Sequence, residues 1–85
     1  MCAEMQTDIY DEILPILPPQ IAASLHEVER VYGRRVPFFL VPNLGASAGG
    51  RADPEGFVEL PLRCRSNLNV IGEEIMHLHR WTKGY

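Results

Sequence analysis

Hydrophobic residues recur at helical spacing in two segments near the N-terminus of the chain. In residues 5–14 they recur every four positions, and Pro15 ends the pattern. The second segment begins at Pro18–Pro19, which suit a first helical turn, and continues to about Tyr32, where Gly33 is a natural C-terminal stop. The pattern therefore predicts two N-terminal helices. Their predicted buried faces consist of Met5, Ile9, Ile13, Ile21, Leu25, Val28 and Tyr32.

Two further segments have the pattern of β-strands. Residues 36–41 form a continuous hydrophobic run, which is typical of a buried strand. Residues 57–64 alternate, and Pro61, which cannot donate a backbone hydrogen bond, favours a position at the sheet edge. Residues 42–56 are rich in glycine, so we expect them to form the most mobile internal segment. The side chains that face one way from the second strand are Val58, Leu60, Leu62 and Cys64.

The last segment predicts a third helix, and with it the fold class. The helix begins near Ser66 or Asn67, either of which can cap it, and continues to about Trp81. The order helix, helix, strand, loop, strand, helix predicts one α+β domain over residues 1–85. Its helices are expected to pack on one face of a small, mostly antiparallel sheet of two or three strands. The residues expected in one buried cluster are Ile21, Leu25, Val28, Phe39, Leu60, Ile71, Ile75 and Leu78.

The composition is that of an ordinary globular protein, with 46% hydrophobic and 22% charged residues in a chain of 85. A net charge of −3 gives no general attraction for nucleic acid or anionic lipid. No hydrophobic run approaches the roughly 20 residues of a membrane span. The acidic N-terminal region is unlike a signal peptide, and Cys2 and Cys64 are interpreted as two free thiols. We therefore expect a cytoplasmic protein that binds neither nucleic acid nor membranes.

The candidate chemistry lies in the last helix. Glu73 is four residues and Glu74 three residues before His77, so the three side chains share one region of the helix surface. Carboxylates and imidazoles are both zinc ligands, which makes this region a candidate metal site. His79 lies about 200° further round the helix, so we expect it to be buried or hydrogen-bonded near the core.

The segment Val70–His77, Val-Ile-Gly-Glu-Glu-Ile-Met-His, resembles the active helix of zincin metallopeptidases, whose motif is H-E-x-x-H. Residues 20–81 also resemble the minimal core of small gluzincins and of the ImmA/IrrE peptidases, although only the last helix carries a motif. The resemblance implies zinc-dependent peptide hydrolysis. In that case Glu73 and His77 would hold zinc, and Glu74 would deprotonate the metal-bound water.

The same resemblance implies how a peptide substrate would bind. In zincins an edge strand before the active helix aligns the peptide, which adds its backbone to the sheet. On this chain the lining residues would be Val58, Leu60 and Leu62. Glu74 and His77 are then expected to face a cleft beside this strand.

The chain departs from the zincin motif at two points. Glu73 stands where the motif has its first histidine. A third protein ligand normally comes from a later helix, and no Glu, His or Asp follows His79. Three explanations remain open: the chain is a fragment that lacks a downstream third-ligand segment, the site is degenerate, or another subunit supplies a ligand.

Two alternatives need no metal. Glu73, His77 and Arg80 also fit a solvated polar face, where a pair at this spacing contributes about 0.2–0.5 kcal/mol. The chain can also be interpreted as a non-catalytic interaction or dimerisation module that uses its edge strand and the C-terminal end with Trp81 and Tyr85. Either way, the expected partner is a peptide or a protein, and a homodimer is an open alternative.

Overall fold

The computed structural model describes residues 7–41 and 49–84. Three helices, four strands and two short 3₁₀ helices follow one another in this part of the chain. Their order is β1 (Thr7–Asp8), α1 (Tyr10–Ile13), a 3₁₀ helix (Leu14–Ile16), α2 (Pro19–Tyr32), β2 (Phe38–Val41), β3 (Arg51–Asp53), β4 (Phe57–Pro61), a second 3₁₀ helix (Leu62–Cys64) and α3 (Leu68–Thr82).

The sheet differs from the predicted one in size and in strand direction. The described residues form four strands in the spatial order β1-β2-β4-β3. The central strands β2 and β4 run parallel, with Phe38 opposite Val58, while β1 and β3 run antiparallel to their neighbours. The expected sheet of two or three mostly antiparallel strands is therefore wrong. The expected pair of N-terminal helices also differs, because α1 has only four residues and follows a strand.

Strand β4 lies inside the sheet, although Pro61 favoured an edge position. Pro61 is the last residue of β4 and lies opposite Val41, the last residue of β2. Because proline has no backbone N–H, one hydrogen bond between the strands is lost, but only at the position where the pairing of β2 with β4 ends. The edge position belongs to β3, which forms an antiparallel hairpin with β4. This hairpin explains the mixed sheet, since the chain reaches the edge first and then returns beside β2.

The turn between β3 and β4 is held by the C-terminal end of α2. The Tyr32 hydroxyl donates to the carbonyl of Pro54 at 2.6 Å. The Arg34 guanidinium donates to the carbonyls of Glu55 and Gly56 at 2.6 and 3.1 Å. Three side-chain hydrogen bonds thus connect the end of a helix to the edge hairpin. They fix the position of the hairpin relative to the helical layer.

Helices α2 and α3 pack on one face of the sheet and form the core with it. Ile21 is partly buried against this core. Phe39 points to the opposite face, where its ring centroid lies 6.0 Å from that of Phe57. The prediction of one buried cluster is thus confirmed for most of its members but not for Phe39. The predicted members that are fully buried are Leu25, Val28, Leu60, Ile71, Ile75 and Leu78.

Helix α3 begins at a side-chain cap, as predicted. The Asn67 side-chain oxygen accepts from the backbone N–H groups of Asn69 and Val70 at 3.1 and 3.3 Å. An Asn at this position satisfies two donors that the first helical turn leaves without partners. The cap therefore fixes the start of the helix that carries the candidate site.

The sequence also led to expectations about membrane spans, the cysteines and the glycine-rich segment. None of the helices in the described ranges is long and apolar enough to cross a membrane. Cys64 is a buried free thiol, and Cys2 lies outside the described residues. Within the glycine-rich segment, residues 42–48 also lie outside them, while residues 49–56 include β3 and its turn.

Candidate functional site

Glu74 is a buried carboxylate on α3. It exposes 6% of its surface, and its Oε1 lies 3.1 Å from Nδ1 of His77. Which of the two atoms donates depends on the protonation states of the carboxyl group and the ring. The imidazole itself reaches solvent, because 46% of the His77 side-chain surface is exposed. The pair thus joins a buried carboxyl group to an exposed ring.

Gly50 covers the Glu74 carboxylate from the side of the sheet edge. A Cβ atom on Gly50 would lie 3.3 Å from both Cγ and Oε2 of Glu74, and 2.9 Å from Cγ1 of Val70. Gly50 directly precedes β3, so the sheet edge and the N-terminal half of α3 meet at this residue. Any side chain at position 50 would displace Val70 or Glu74.

Glu73 is exposed, although it is adjacent to Glu74. Successive helical residues point about 100° apart, so Glu73 falls in one row with His77 and Trp81, each four residues from the next. A neighbouring row holds Met76 and Arg80, which are also exposed. We call these five residues together the outer face of α3.

The outer face of α3 contains two large hydrophobic side chains. Trp81 is 41% exposed and Met76 is 39% exposed. The Trp81 ring lies beside the His77 ring, with 6.4 Å between centroids and 42° between the planes. The imidazole that Glu74 holds is therefore in contact with the largest exposed aromatic surface of this helix.

His79 lies on another side of α3 and connects it to α2. Its Nε2 lies 2.7 Å from Oε1 of Glu27, and its side chain is largely buried. The expectation that His79 is hydrogen-bonded near the core is thus confirmed. The hydrogen bond from His79, together with the positive charge of Lys83, lowers the pKa of the Glu27 carboxyl. His79 therefore belongs to the contact between the two helices and not to the outer face of α3.

The three residues expected to line a peptide occupy different environments. Val58 and Leu60 are fully buried in the core. Leu62 is exposed and lies in the 3₁₀ helix that follows β4. Because β4 pairs with strands on both sides, a peptide cannot add its backbone there. The Glu74 side chain lies against Gly50, which precedes β3. That Glu74 and His77 face a cleft beside residues 58–62 stays a prediction.

A metal ion is poorly supported by the described donors. Within residues 7–41 and 49–84, no group of three or more His, Cys, Asp or Glu side chains is arranged to hold one. Zinc sites ordinarily use three or four protein ligands. Glu73 and His77, which the zincin resemblance assigns to zinc, supply only two ligands. These residues alone do not fit a zinc ion.

Two features of the site escaped the sequence patterns. One is the burial of Glu74, for which a signal existed: the residue lies three positions after Ile71 and four before Leu78, both members of the hydrophobic stripe. The other is the contact with Gly50, which depends on a pairing between distant segments. Helical periodicity contains no information about such a contact.

Comparison of the chain with protein-family models, with curated proteins and with solved structures gave no match. The resemblance of α3 to the zincin helix therefore rests on the residues of this helix alone.

Proposed function

We propose that this chain is a zincin-related domain that acts as a protein-interaction module and binds a protein partner through the outer face of α3. The observation that carries the proposal is the exposure of Trp81 and Met76 beside the His77 ring. Tryptophan, methionine and arginine are enriched at protein interfaces, and tryptophan is among the residues that contribute most to binding. A contact with a protein would remove both hydrophobic side chains from water.

The arrangement of charge on this face supports the same function. Glu73 and Arg80 have opposite charges and are exposed on the same side of the helix as Trp81. Interfaces combine a hydrophobic centre with a polar rim that remains close to solvent. The Trp81–His77 contact would form the centre, and the two charged residues would form part of the rim.

The sheet edge is a weaker candidate for the binding surface. No described residue forms a strand on the outer side of β3, so its edge resembles a site for an added strand. However, β3 contains only three residues, so an added peptide strand could form few backbone hydrogen bonds with it. The outer face of α3 offers more accessible surface.

The binding test uses the partner captured by the immobilised chain, then purified and titrated by calorimetry. Trp81→Ala is expected to raise the dissociation constant by about 30-fold or more, as is typical for a tryptophan at the centre of a protein interface. The matched control is Val31→Ala, which also removes an exposed hydrophobic side chain, at 63% exposure, but from α2. Equal binding by the two variants would contradict the proposal.

Self-association is a separate outcome of the same experiment. If the partner is a second copy of the chain, sedimentation equilibrium will show a dimer that Trp81→Ala dissociates and Val31→Ala does not. A dimer that survives Trp81→Ala would place the self-interface elsewhere.

A second candidate function is zinc-dependent peptide hydrolysis. It is favoured by the Glu74–His77 hydrogen bond, because a metal-bound histidine commonly donates its other N–H to a carboxylate. Further ligands would have to come from outside the described residues. Elemental analysis of protein purified without added metal or chelator tests this candidate. About one zinc per chain, lost in His77→Ala, would favour it, whereas a trace content unchanged by that substitution would exclude a resident zinc at His77.

A further inference from the structure

The middle residue of β3 directs its backbone hydrogen-bonding groups to the free side of the strand. Ala52 lies opposite Val58 of β4, and Val58 donates its N–H to the carbonyl of Pro37, which precedes β2. Because the N–H and C=O of one strand residue point to the same side, Ala52 and Val58 form a non-hydrogen-bonded pair. The N–H and C=O of Ala52 are therefore directed away from β4, to the side where the described residues form no further strand.

The two residues that flank Ala52 have opposite charges and lie on the same face of the sheet. Ala52 is buried on the core side, so Arg51 and Asp53 point to the opposite face. The Arg51 guanidinium donates to Asp53 at 3.1 Å and to Glu59 of β4 at 2.9 Å. It still exposes 53% of its side-chain surface. Strand β3 thus has a basic residue at one end, an acidic residue at the other, and outward-directed backbone groups between them.

This arrangement is self-complementary in an antiparallel strand pair. When two copies of β3 pair about a two-fold axis at Ala52, the two alanines exchange N–H···O hydrogen bonds, and Arg51 of each copy lies opposite Asp53 of the other. In such flanking pairs the Cα atoms are only about 4.5 Å apart, and opposite charges stabilise the pairing. An unrelated strand has the matching charges only by coincidence, whereas a second copy of the chain always has them.

The same two-fold axis places the two α3 helices side by side. Helix α3 packs on both β3 and β4. Because neighbouring strands lie about 4.8 Å apart, a helix above the midline of β3 and β4 lies about 10 Å from its symmetry mate. This is close to the separation of about 8–10 Å at which helices pack. The strand pairing alone would bury less than the roughly 1,200 Å² of a stable protein interface, so the helices have to supply the rest.

Trp81 lies on the side of α3 that faces this second helix. Gly50, which precedes β3, lies against Val70, so this side of α3 is the side of the sheet edge. Trp81 follows Val70 by eleven residues, which is close to three helical turns, and therefore lies on the same side. The exposed part of Trp81, 41% of the residue, would be covered by α3 of the second copy.

We infer that the protein partner is a second copy of the chain, paired through β3 about a two-fold axis at Ala52 with Trp81 in the contact between the α3 helices. This inference rests on the proposed function, in which Trp81 lies at the interface, and it names the partner. The short strand determines the register of the two copies, and the helices above it contribute the hydrophobic part of the interface.

Charge exchange at β3 tests the pairing by sedimentation equilibrium. Arg51→Asp makes both flanking residues acidic and Asp53→Arg makes both basic, so each variant alone places like charges opposite one another at two positions. We expect each substitution to raise the dissociation constant of the dimer by about tenfold or more. An equimolar mixture of the two variants should restore a dimer, because acidic residues of one chain then lie opposite basic residues of the other. Native mass spectrometry should identify it as the heterodimer.

The matched control is Arg65→Asp. Arg65 exposes 52% of its side chain and forms an ion pair with Glu12, so it resembles Arg51 in exposure but follows the second 3₁₀ helix. This variant should dimerise like the unmodified chain. Circular dichroism checks that each variant is folded. Asp53→Arg keeps the hydrogen bond between Arg51 and Glu59, so it tests the pairing even if Arg51→Asp does not fold.

The results also separate this inference from the proposed function. A chain that stays monomeric at the concentrations used for NMR overturns the inference, and the outer face of α3 then needs a different protein. A dimer that Trp81→Ala dissociates overturns the pairing through β3 if neither charge variant weakens it, or if Arg65→Asp weakens it equally. If the charge variants dissociate the dimer and their mixture restores it while Trp81→Ala has no effect, the strand pairing is correct and the proposed role of α3 is wrong.

Discussion

Nε2 of His79 in α3 lies 2.7 Å from Oε1 of Glu27 in α2. This contact joins the two helices through residues that are 52 positions apart in the sequence. The imidazole and the positive charge of Lys83 lower the pKa of Glu27 below its usual value of 4.5. A carboxyl whose pKa is lower in the folded than in the unfolded chain stabilises the fold above the unfolded pKa. That contribution is lost as the pH falls through the folded pKa.

We therefore expect the free energy of unfolding to decline as the pH falls below about 4.5, and Glu27→Gln to reduce this decline. Urea unfolding followed by circular dichroism at pH 7 and pH 3 measures the effect. Glu55→Gln removes a carboxylate that accepts no side-chain hydrogen bond among those described, so it serves as the control. An identical acid dependence in Glu27→Gln and in the unmodified chain would contradict the expectation.

The contribution of Tyr10 to stability has the opposite pH dependence and is lost at alkaline pH. Burial, then the hydrogen bond and negative charge of Glu29, raise the pKa of the Tyr10 hydroxyl to about 12 from 10.0. A raised pKa stabilises the fold below the unfolded pKa, and the contribution is lost as the pH rises from about 10 toward 12. Tyr10→Phe should therefore flatten the loss of stability in this interval. Urea titrations at pH 9 and pH 11.5 provide the comparison, and an equal loss of stability in Tyr10→Phe and in the unmodified chain would contradict the expectation.

The hydrogen bonds between the end of α2 and the β3–β4 hairpin should contribute measurably to the free energy of unfolding. Arg34→Ala removes the donors to Glu55 and Gly56, and we expect the free energy of unfolding to fall by about 1–2 kcal/mol. Arg80→Ala, an exposed arginine on the outer face of α3, should change it by less than about 0.5 kcal/mol. Similar values for the two variants would mean that the hydrogen bonds to the hairpin contribute little.

Substitutions at the adjacent residues Gly49 and Gly50 test how closely this segment packs against Val70 and Glu74. Gly50→Ala would place Cβ 2.9 Å from Val70 Cγ1 and 3.3 Å from the Glu74 side chain, and would put an alanine at a φ of 157°. For both reasons we expect a loss of about 1–3 kcal/mol. Gly49→Ala would place Cβ 3.5 Å from Val70, an ordinary contact, and should cost clearly less. Thermal unfolding of both variants tests the difference. Equal midpoints would indicate that the segment moves freely to admit a side chain.

Helices α2 and α3 could be predicted from the sequence because their signals are local. The spacing of Ile71, Ile75 and Leu78 located the buried stripe of α3, and its predicted start at Ser66 or Asn67 includes the observed cap, Asn67. The same applies to α2, with Pro19 in its first turn and Gly33, at φ 74°, at its end. In each case the residues that determine the element lie within one or two turns of each other.

The sheet could not be predicted in the same way, since its order depends on pairing between distant segments. Strand β3 contains three residues inside a glycine-rich stretch, which is too short for an alternation to be recognised. Strand β1 contains two residues, and Ile9 beside it also fitted a helical pattern. The parallel pairing of β2 with β4 became possible only because β3 forms the hairpin at the edge.

The candidate site was predicted in part. Helical spacing brought Glu74 and His77 together, and the structure places them in contact. It grouped Glu73 with them, although Glu73 is exposed and Glu74 is buried. Burial depends on what covers the helix, and Gly50 comes from a segment more than 20 residues earlier in the sequence. The burial of Glu74 and the exposure of Glu73 therefore depend on tertiary contacts.

The central proposal, that the outer face of α3 binds a protein partner, is tested most directly by mapping the contact on the chain. Backbone and side-chain NMR signals of the ¹⁵N-labelled chain are compared without and with the captured, purified partner. We predict that the largest changes cluster at Glu73, Met76, His77 and Trp81, including the indole N–H, while Val31 on α2 stays unchanged. Changes centred on Arg51 and Asp53 of the sheet edge, with the Trp81 indole signal unmoved, would contradict the proposal.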